Sequence, residues 1–188
     1  MKIVGISGSI VGSKTRIAVE HSLNLIRDKY PEIETILLNL GDLNIVFSDG
    51  RDYRDYEGDT KYLTEQIMSA DALIIGTPTF QSSIPGALKN VFDLLPAEGL
   101  LDKAVGIIAT AGSPKHFLMV EQQLKPILAY MKASIVQKYV FIEEKDYYQK
   151  EIVNDDVLSR LNQLVDDIID THKALHFIKK EKEAVYGF

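Results

Sequence analysis

Cysteine is absent from the 188 residues, and so is tryptophan. Without a thiol there is no disulfide framework, thiolate metal site or cysteine nucleophile, so any redox chemistry must sit on a bound cofactor. Basic residues are the minority: 21 Lys and Arg against 27 Asp and Glu leave a formal net charge of -6. That balance argues against a nucleic-acid partner, which needs clustered cations to release counterions. Long apolar runs are missing too. The first, Ile3 to Ile6, stops at Ser7-Gly8-Ser9, well short of a signal peptide or membrane span, so no membrane partner and a cytoplasmic location are expected. His21, His172 and His176 lack metal-ligand spacing with neighbouring carboxylates, and no metal is expected.

What is present suits a globular protein. Apolar residues make up 46 % and charged residues 26 %, a composition that buries a core, and the length fits one domain over 1–188. Nearly continuous apolar runs at Lys2–Ser7, Glu34–Leu40, Ala72–Thr77, Lys103–Thr110 and Ser134–Ile142 predict five strands buried on both faces, as in a parallel sheet. Thr15–Lys29, Asp59–Ala70, Ile84–Leu95 and Lys115–Met131 carry helical periodicity, and Asn154 opens a last helix toward Lys180. The alternation is a βαβ series, hence an α/β fold. Gly41–Gly58 and Glu143–Glu151 show no clear period and are expected as irregular loops.

The first strand runs into Gly8-Ser9-Ile10-Val11-Gly12-Ser13-Lys14-Thr15-Arg16 and then a helix. Backbone N–H groups, the hydroxyls of Ser9, Ser13 and Thr15, and the cations Lys14 and Arg16 gather at a helix N-terminus, which is an anion site. The dinucleotide fingerprint fails on glycine spacing. The Walker pattern nearly matches Gly8 to Thr15, but Ser13 replaces its second glycine, and Ala72–Thr77 ends in Gly-Thr-Pro rather than a magnesium-binding Asp. A hydroxyl-rich pocket for a terminal monophosphate needs neither metal nor catalytic lysine. A plainer alternative has the hydroxyls merely capping the helix.

In a doubly wound sheet of order 2-1-3-4-5, ligands bind where connections from strands 1 and 3 part in opposite directions. The segment Thr77-Pro78-Thr79-Phe80-Gln81-Ser82-Ser83-Ile84-Pro85-Gly86 belongs there. It joins stiff prolines, one aromatic and small polar residues, a combination that can line a planar ring; the alternative is an ordinary turn with Phe80 in the core. Thr110-Ala111-Gly112-Ser113 forms another small-residue turn at the same edge.

With these loops in place the chain resembles the NADPH-dependent FMN reductases, most closely those that supply reduced flavin to alkanesulfonate monooxygenases. The likeness rests on Gly8-Ser9 with Ser13 and Thr15, Leu63-Thr64-Glu65-Gln66 through Ala70-Asp71, Thr77-Pro78 through Gly86-Ala87-Leu88-Lys89, and Asp93-Leu94-Leu95-Pro96. Gly112, His116 and Leu124-Lys125-Pro126 continue it. The resemblance implies a flavodoxin-like three-layer sandwich with a five-stranded parallel sheet, FMN as cofactor or substrate, and NADPH or NADH as hydride donor. It also implies a homodimer or homotetramer and a flavin-dependent monooxygenase partner. Ser9, Ser13, Thr15 and Arg16 would hold the phosphate, Pro78, Thr79, Phe80 and Gln81, with Ser82 beside them, would border the ring, and Ala111, Gly112 and Ser113 would lie beyond.

Two positions depart from the family pattern. Val11 stands where many relatives carry Arg, which leaves Lys14 or Arg16 to supply the charge. Gln122 stands where the sulfonate-system reductases have an aromatic residue in a π-helix, which suggests a more tightly held flavin. Hydride transfer between nicotinamide and flavin requires no protein nucleophile, so no catalytic residue is assigned. His116, beside the ring loop, is a candidate contact or a surface histidine, and the tyrosines at 53, 56, 147 and 148 are loop anchors or subunit contacts. Alternatives are an FMN-holding quinone or azo-dye reductase, a non-enzymatic flavodoxin-like electron carrier, or a phosphotransferase using the near-Walker loop.

Overall fold

A computed structural model describes residues 1–186. Strands β1 (Lys2–Ser7), β2 (Glu34–Asn39), β3 (Ala72–Pro78) and β4 (Ala104–Ala111) run parallel with two short segments, β5 (Ser134–Ile135) and β6 (Val140–Glu143), in the order β2-β1-β3-β4-β5, and β6 also pairs with β4. The order 2-1-3-4-5 is the one expected, but the fifth strand is not continuous. Val105 faces Ile135 and Ile108 faces Val140, so five steps of the edge strand span three of β4 and two residues bulge out.

Alternation along the strands sorts the core into two layers. Ile3, Ile74, Ala104 and Ile108 pack under helices α1 (Lys14–Lys29) and α5 (Asp155–Tyr186), with Val19, Leu23, Leu161 and Ile168 opposite them. Val4, Ile6, Leu73, Ile75, Val105 and Ile107 face the other way, toward α2 (Gly58–Ser69), α3 (Gly86–Asp93) and α4 (Lys125–Tyr130). Burial on both faces explains why the strands read as unbroken apolar runs. A three-layer α/β sandwich results. Among the described residues no helix is long and apolar enough to cross a membrane.

Proline accounts for two corrections to the expected helices. Ile84 does not open α3: Pro85 sits extended at φ -62°, ψ 145°, its ring biases the preceding residue away from helix, and the helix begins at Gly86. The helix expected over Lys115–Met131 is broken into a 3-10 turn (Pro114–His116), a π segment (Val120–Leu124) and α4. Pro126 has no N–H for the carbonyl of Gln122, and its ring crowds that carbonyl. The ladder widens there, with Lys125 N donating to Val120 O five residues back. The π segment is thus present with Gln122, not an aromatic residue, inside it.

The two irregular stretches are more ordered than expected. Residues 41–58 include 3-10 turns and are pinned over α3 by Asn90, whose amide donates to Val46 O at 3.0 Å and whose carbonyl accepts Ser48 N at 2.9 Å. Tyr56 is buried as an anchor. After β6, strands β7 (Tyr147–Tyr148) and β8 (Glu151–Ile152) form a small hairpin.

Candidate functional site

The C-terminal ends of β1, β3 and β4 and the turn after β6 enclose a cleft of about 360 Å³, within the range of small-molecule sites. Its first wall is the N-terminus of α1. Ser13 occupies the N-cap position but makes no side-chain capping bond, and the first turn holds no acidic residue. The orphan N–H groups and the positive end of the helix dipole are therefore open to an anion. The capping alternative does not hold: Ser9 Oγ donates to Val11 O at 2.6 Å and shapes the loop, and Thr15 Oγ1 lies 2.8 Å from Thr110 Oγ1, a buried tie between helix and strand.

That tie depends on close approach. A Cβ on Gly76 in β3 would sit 2.4 Å from Val19 Cγ2 and 2.9 Å from Thr15 Cγ2, so only glycine lets the first turn of α1 lie this near the sheet. Lys14 Nζ pairs with Glu144 across the cleft, and Tyr147 Oη donates to Lys14 O at 3.0 Å. Burial pushes the Tyr147 phenol well above its ordinary value, so it remains a donor. The Lys14 hydrogen bond holds the Glu144 carboxyl below its usual range.

Pro78, Thr79 and Phe80 form the second wall. Thr79 N donates to Thr110 O at 2.9 Å, while its buried Oγ1 has no partner among the described residues. Phe80 and Ser83 exchange two backbone bonds of 3.0 Å around Gln81 (φ 50°) and Ser82 (φ 60°), the geometry of a type I′ turn built without glycine. Two left-handed residues in sequence carry strain of about 1–2 kcal/mol each. The turn is tied from outside: Ser83 Oγ donates to Gln123 Oε1 of the π segment at 2.7 Å, and Ser82 Oγ lies 3.5 Å from His116 Nδ1. Ala111 and Gly112 close the third wall, where a Cβ on Gly112 would meet only Glu144 Oε2 at 4.0 Å.

Of the residues singled out in the sequence, Ser9, Ser13, Lys14, Thr15, Pro78, Thr79, Phe80, Ala111 and Gly112 line this cleft together. Arg16 does not; it pairs with Asp42 at 3.2 Å and Glu20 at 3.9 Å. Gln81 and Ser82 make the turn rather than the wall, and Ser113 accepts Lys115 N to cap the 3-10 turn. His116 stands behind Ser82, outside the lining. Sequence reasoning missed Thr110, Ile142, Glu143, Glu144 and Tyr147 as lining residues. All but Thr110 lie on the edge strand or the segment after it, remote in sequence from the loop after β1. A larger groove of about 670 Å³ runs between Tyr139 and Arg160, but Lys125–Glu121 and Arg160–Asp156 already pair there.

Residues 1–147 match the family model described as NADPH-dependent FMN reductase. The chain is 40 % identical over 176 residues to an NAD(P)H-dependent FAD/FMN reductase of Geobacillus thermodenitrificans, covering 93 % of this chain and 95 % of the relative. It is 27 % identical to the NADH-dependent FMN reductase SfnF of Pseudomonas fluorescens, with 86 % of each covered. The solved apo form of an NADH:FMN oxidoreductase superposes with a TM-score of 0.75 at 28 % identity, covering 92 % of this chain and 89 % of that one.

Proposed function

Because the chain belongs to the NADPH-dependent FMN reductase family, we propose that it is a one-domain NAD(P)H-dependent flavin reductase that passes hydride from NADPH or NADH to FMN held in this cleft. The observation that carries this reading is the uncapped N-terminus of α1 facing the Pro78–Phe80 wall, a phosphate seat and a ring edge in one cavity. When bound, the flavin supplies the redox chemistry.

The chain's own residues bind and orient. The N–H groups of the first turn of α1, the Ser13 hydroxyl and the Lys14 ammonium receive the phosphate, while Ser9 and Thr15 hold the loop and helix in place for it. Arg16, held by Asp42 and Glu20 at the loop's outer side, braces the loop without touching the cleft. The Thr79 hydroxyl, without a partner among the described residues, is a donor in the ring wall, and Phe80 covers apolar ring surface. Ala111 and Gly112 leave room for the ring's far end, and Gln81, Ser82 and Ser113 shape the turns that frame it. The protein works in the cytoplasm as a homodimer or homotetramer, and reduced flavin goes to a flavin-dependent monooxygenase.

Gln122 in the π segment favours a second reading, in which FMN stays bound and electrons pass to a quinone or azo dye. Steady-state NAD(P)H oxidation with varied FMN separates the two. A rate that saturates in free FMN supports the flavin-substrate reading; a rate independent of added FMN but dependent on a quinone supports the second. Colourless protein with magnesium-dependent ATP turnover refutes both.

A further inference from the structure

The cleft is poorly charged for its proposed task. Its lining holds one cation, Lys14, and two carboxylates, Glu143 and Glu144. Glu143 is engaged by Lys145 at 2.8 Å. Arg16, the other cation of the loop, faces Asp42 and Glu20 instead of the cleft. That leaves Lys14, whose ammonium is already paired with Glu144.

Both side chains are exposed, but the elements that carry them are held together. Glu144 comes from the turn after β6, 130 residues from Lys14, and its other oxygen lies against the open side of Gly112. Tyr147, three residues further on, bonds the Lys14 carbonyl and lies 5.8 Å from its ammonium. Turn and helix N-terminus are thus held together, and the carboxylate is kept beside the seat a phosphate would take.

We propose, resting on the flavin reading above, that Glu144 competes with the flavin phosphate for Lys14 and so sets how tightly the phosphorylated flavin is held. An arriving phosphate exchanges one ion pair for another and leaves a carboxylate within Coulomb range, so the gain from its charge is small. Glu144 is a specificity-determining residue: it blunts the preference for FMN over riboflavin and keeps FMN exchangeable.

The test is a fluorescence titration of the flavin-free full-length protein with FMN and with riboflavin. Glu144→Gln is expected to tighten FMN about three- to tenfold, the scale of one removed like charge near the surface, and to change riboflavin affinity less than about twofold. The gain should shrink with added salt, because the variant makes a new ion pair where the native protein exchanges one. It should also be smaller in a Lys14→Met background, where the competition for Lys14 is gone and only the repulsion between carboxylate and phosphate remains to be relieved. Glu144→Ala serves as a second variant with the same expectation. Unchanged or weaker FMN binding by both variants, with native protein that binds FMN, overturns this proposal alone. Native protein that binds neither flavin overturns the flavin reading and this proposal with it.

Discussion

The same strands end very differently at their two edges. At the lower edge, where β1, β3 and β4 begin, protein groups meet one another. Lys2 N donates to Asp71 Oδ2 at 2.7 Å and Asp71 N to Lys2 O at 2.9 Å. The Lys103 ammonium caps the last turn of α2 through Met68 O at 2.9 Å and Ala70 O at 2.6 Å. At the upper edge the N-terminus of α1 is left uncapped, and a turn takes left-handed geometry at Gln81 and Ser82. Two of the three buried side-chain atoms without a partner among the described residues, Ser7 Oγ and Thr79 Oγ1, are there, and the third, His172 Nδ1, lies at the lower edge. Groups left unmade beside an open cleft are ones a ligand can satisfy, whereas the paired groups of the lower edge hold β1, β3, β4 and α2 together.

The largest expected effect breaks the upper edge mechanically. Gly76→Val drives methyls into Val19 and Thr15 and should cost about 3 kcal/mol of stability, visible as a lowered denaturation midpoint, with FMN affinity falling as the first turn of α1 lifts. Lys103→Met attacks the lower edge. It leaves two α2 carbonyls without their charged donor and should cost about 2 kcal/mol, while FMN affinity stays within about twofold. A large loss of flavin binding in that variant would show that the edges are not independent. Thr79→Val exchanges these signatures: stability should hold or rise slightly, since a buried hydroxyl without a partner is removed, while FMN binding weakens about fivefold for one lost hydrogen bond.

The smallest effect sharpens the comparison through pH. His172, beside Asp71 at the lower edge, has its pKa pushed below 6.5, chiefly by burial and despite the Asp71 charge. The unfolded chain therefore takes up the proton first as pH falls, so stability should decline below pH 6.5 until the folded state is protonated too. His172→Gln should make that decline shallower in denaturant titrations across this range. An identical pH slope in both proteins would remove His172 as its source.

The loops after β1 and β3 were legible because each is local. Gly8–Thr15 and Thr77–Phe80 announce themselves by small, hydroxylic and proline residues beside an apolar strand, and both ended in the cleft. Arg16 was less legible, since its partner Asp42 lies in a loop without periodicity. The helix over Lys115–Met131 followed the apolar spacing well enough, but one proline altered its hydrogen bonding in a way that spacing does not register.

By itself, then, the sequence determined the alternation of buried strands and helices, the flavodoxin-like strand order through the family resemblance, and the two small-residue loops that line the cleft. The first and last of these follow from burial periodicity and from the backbone preferences of glycine and proline. Only the tertiary structure decided which charges share the cleft. Glu144 and Tyr147 reach Lys14 because a bulged edge strand carries the chain back over the first helix, and an ion pair across 130 residues leaves no local mark in sequence. Which charges face the cleft is decided by that long-range pairing, since charge acts through space rather than along the chain.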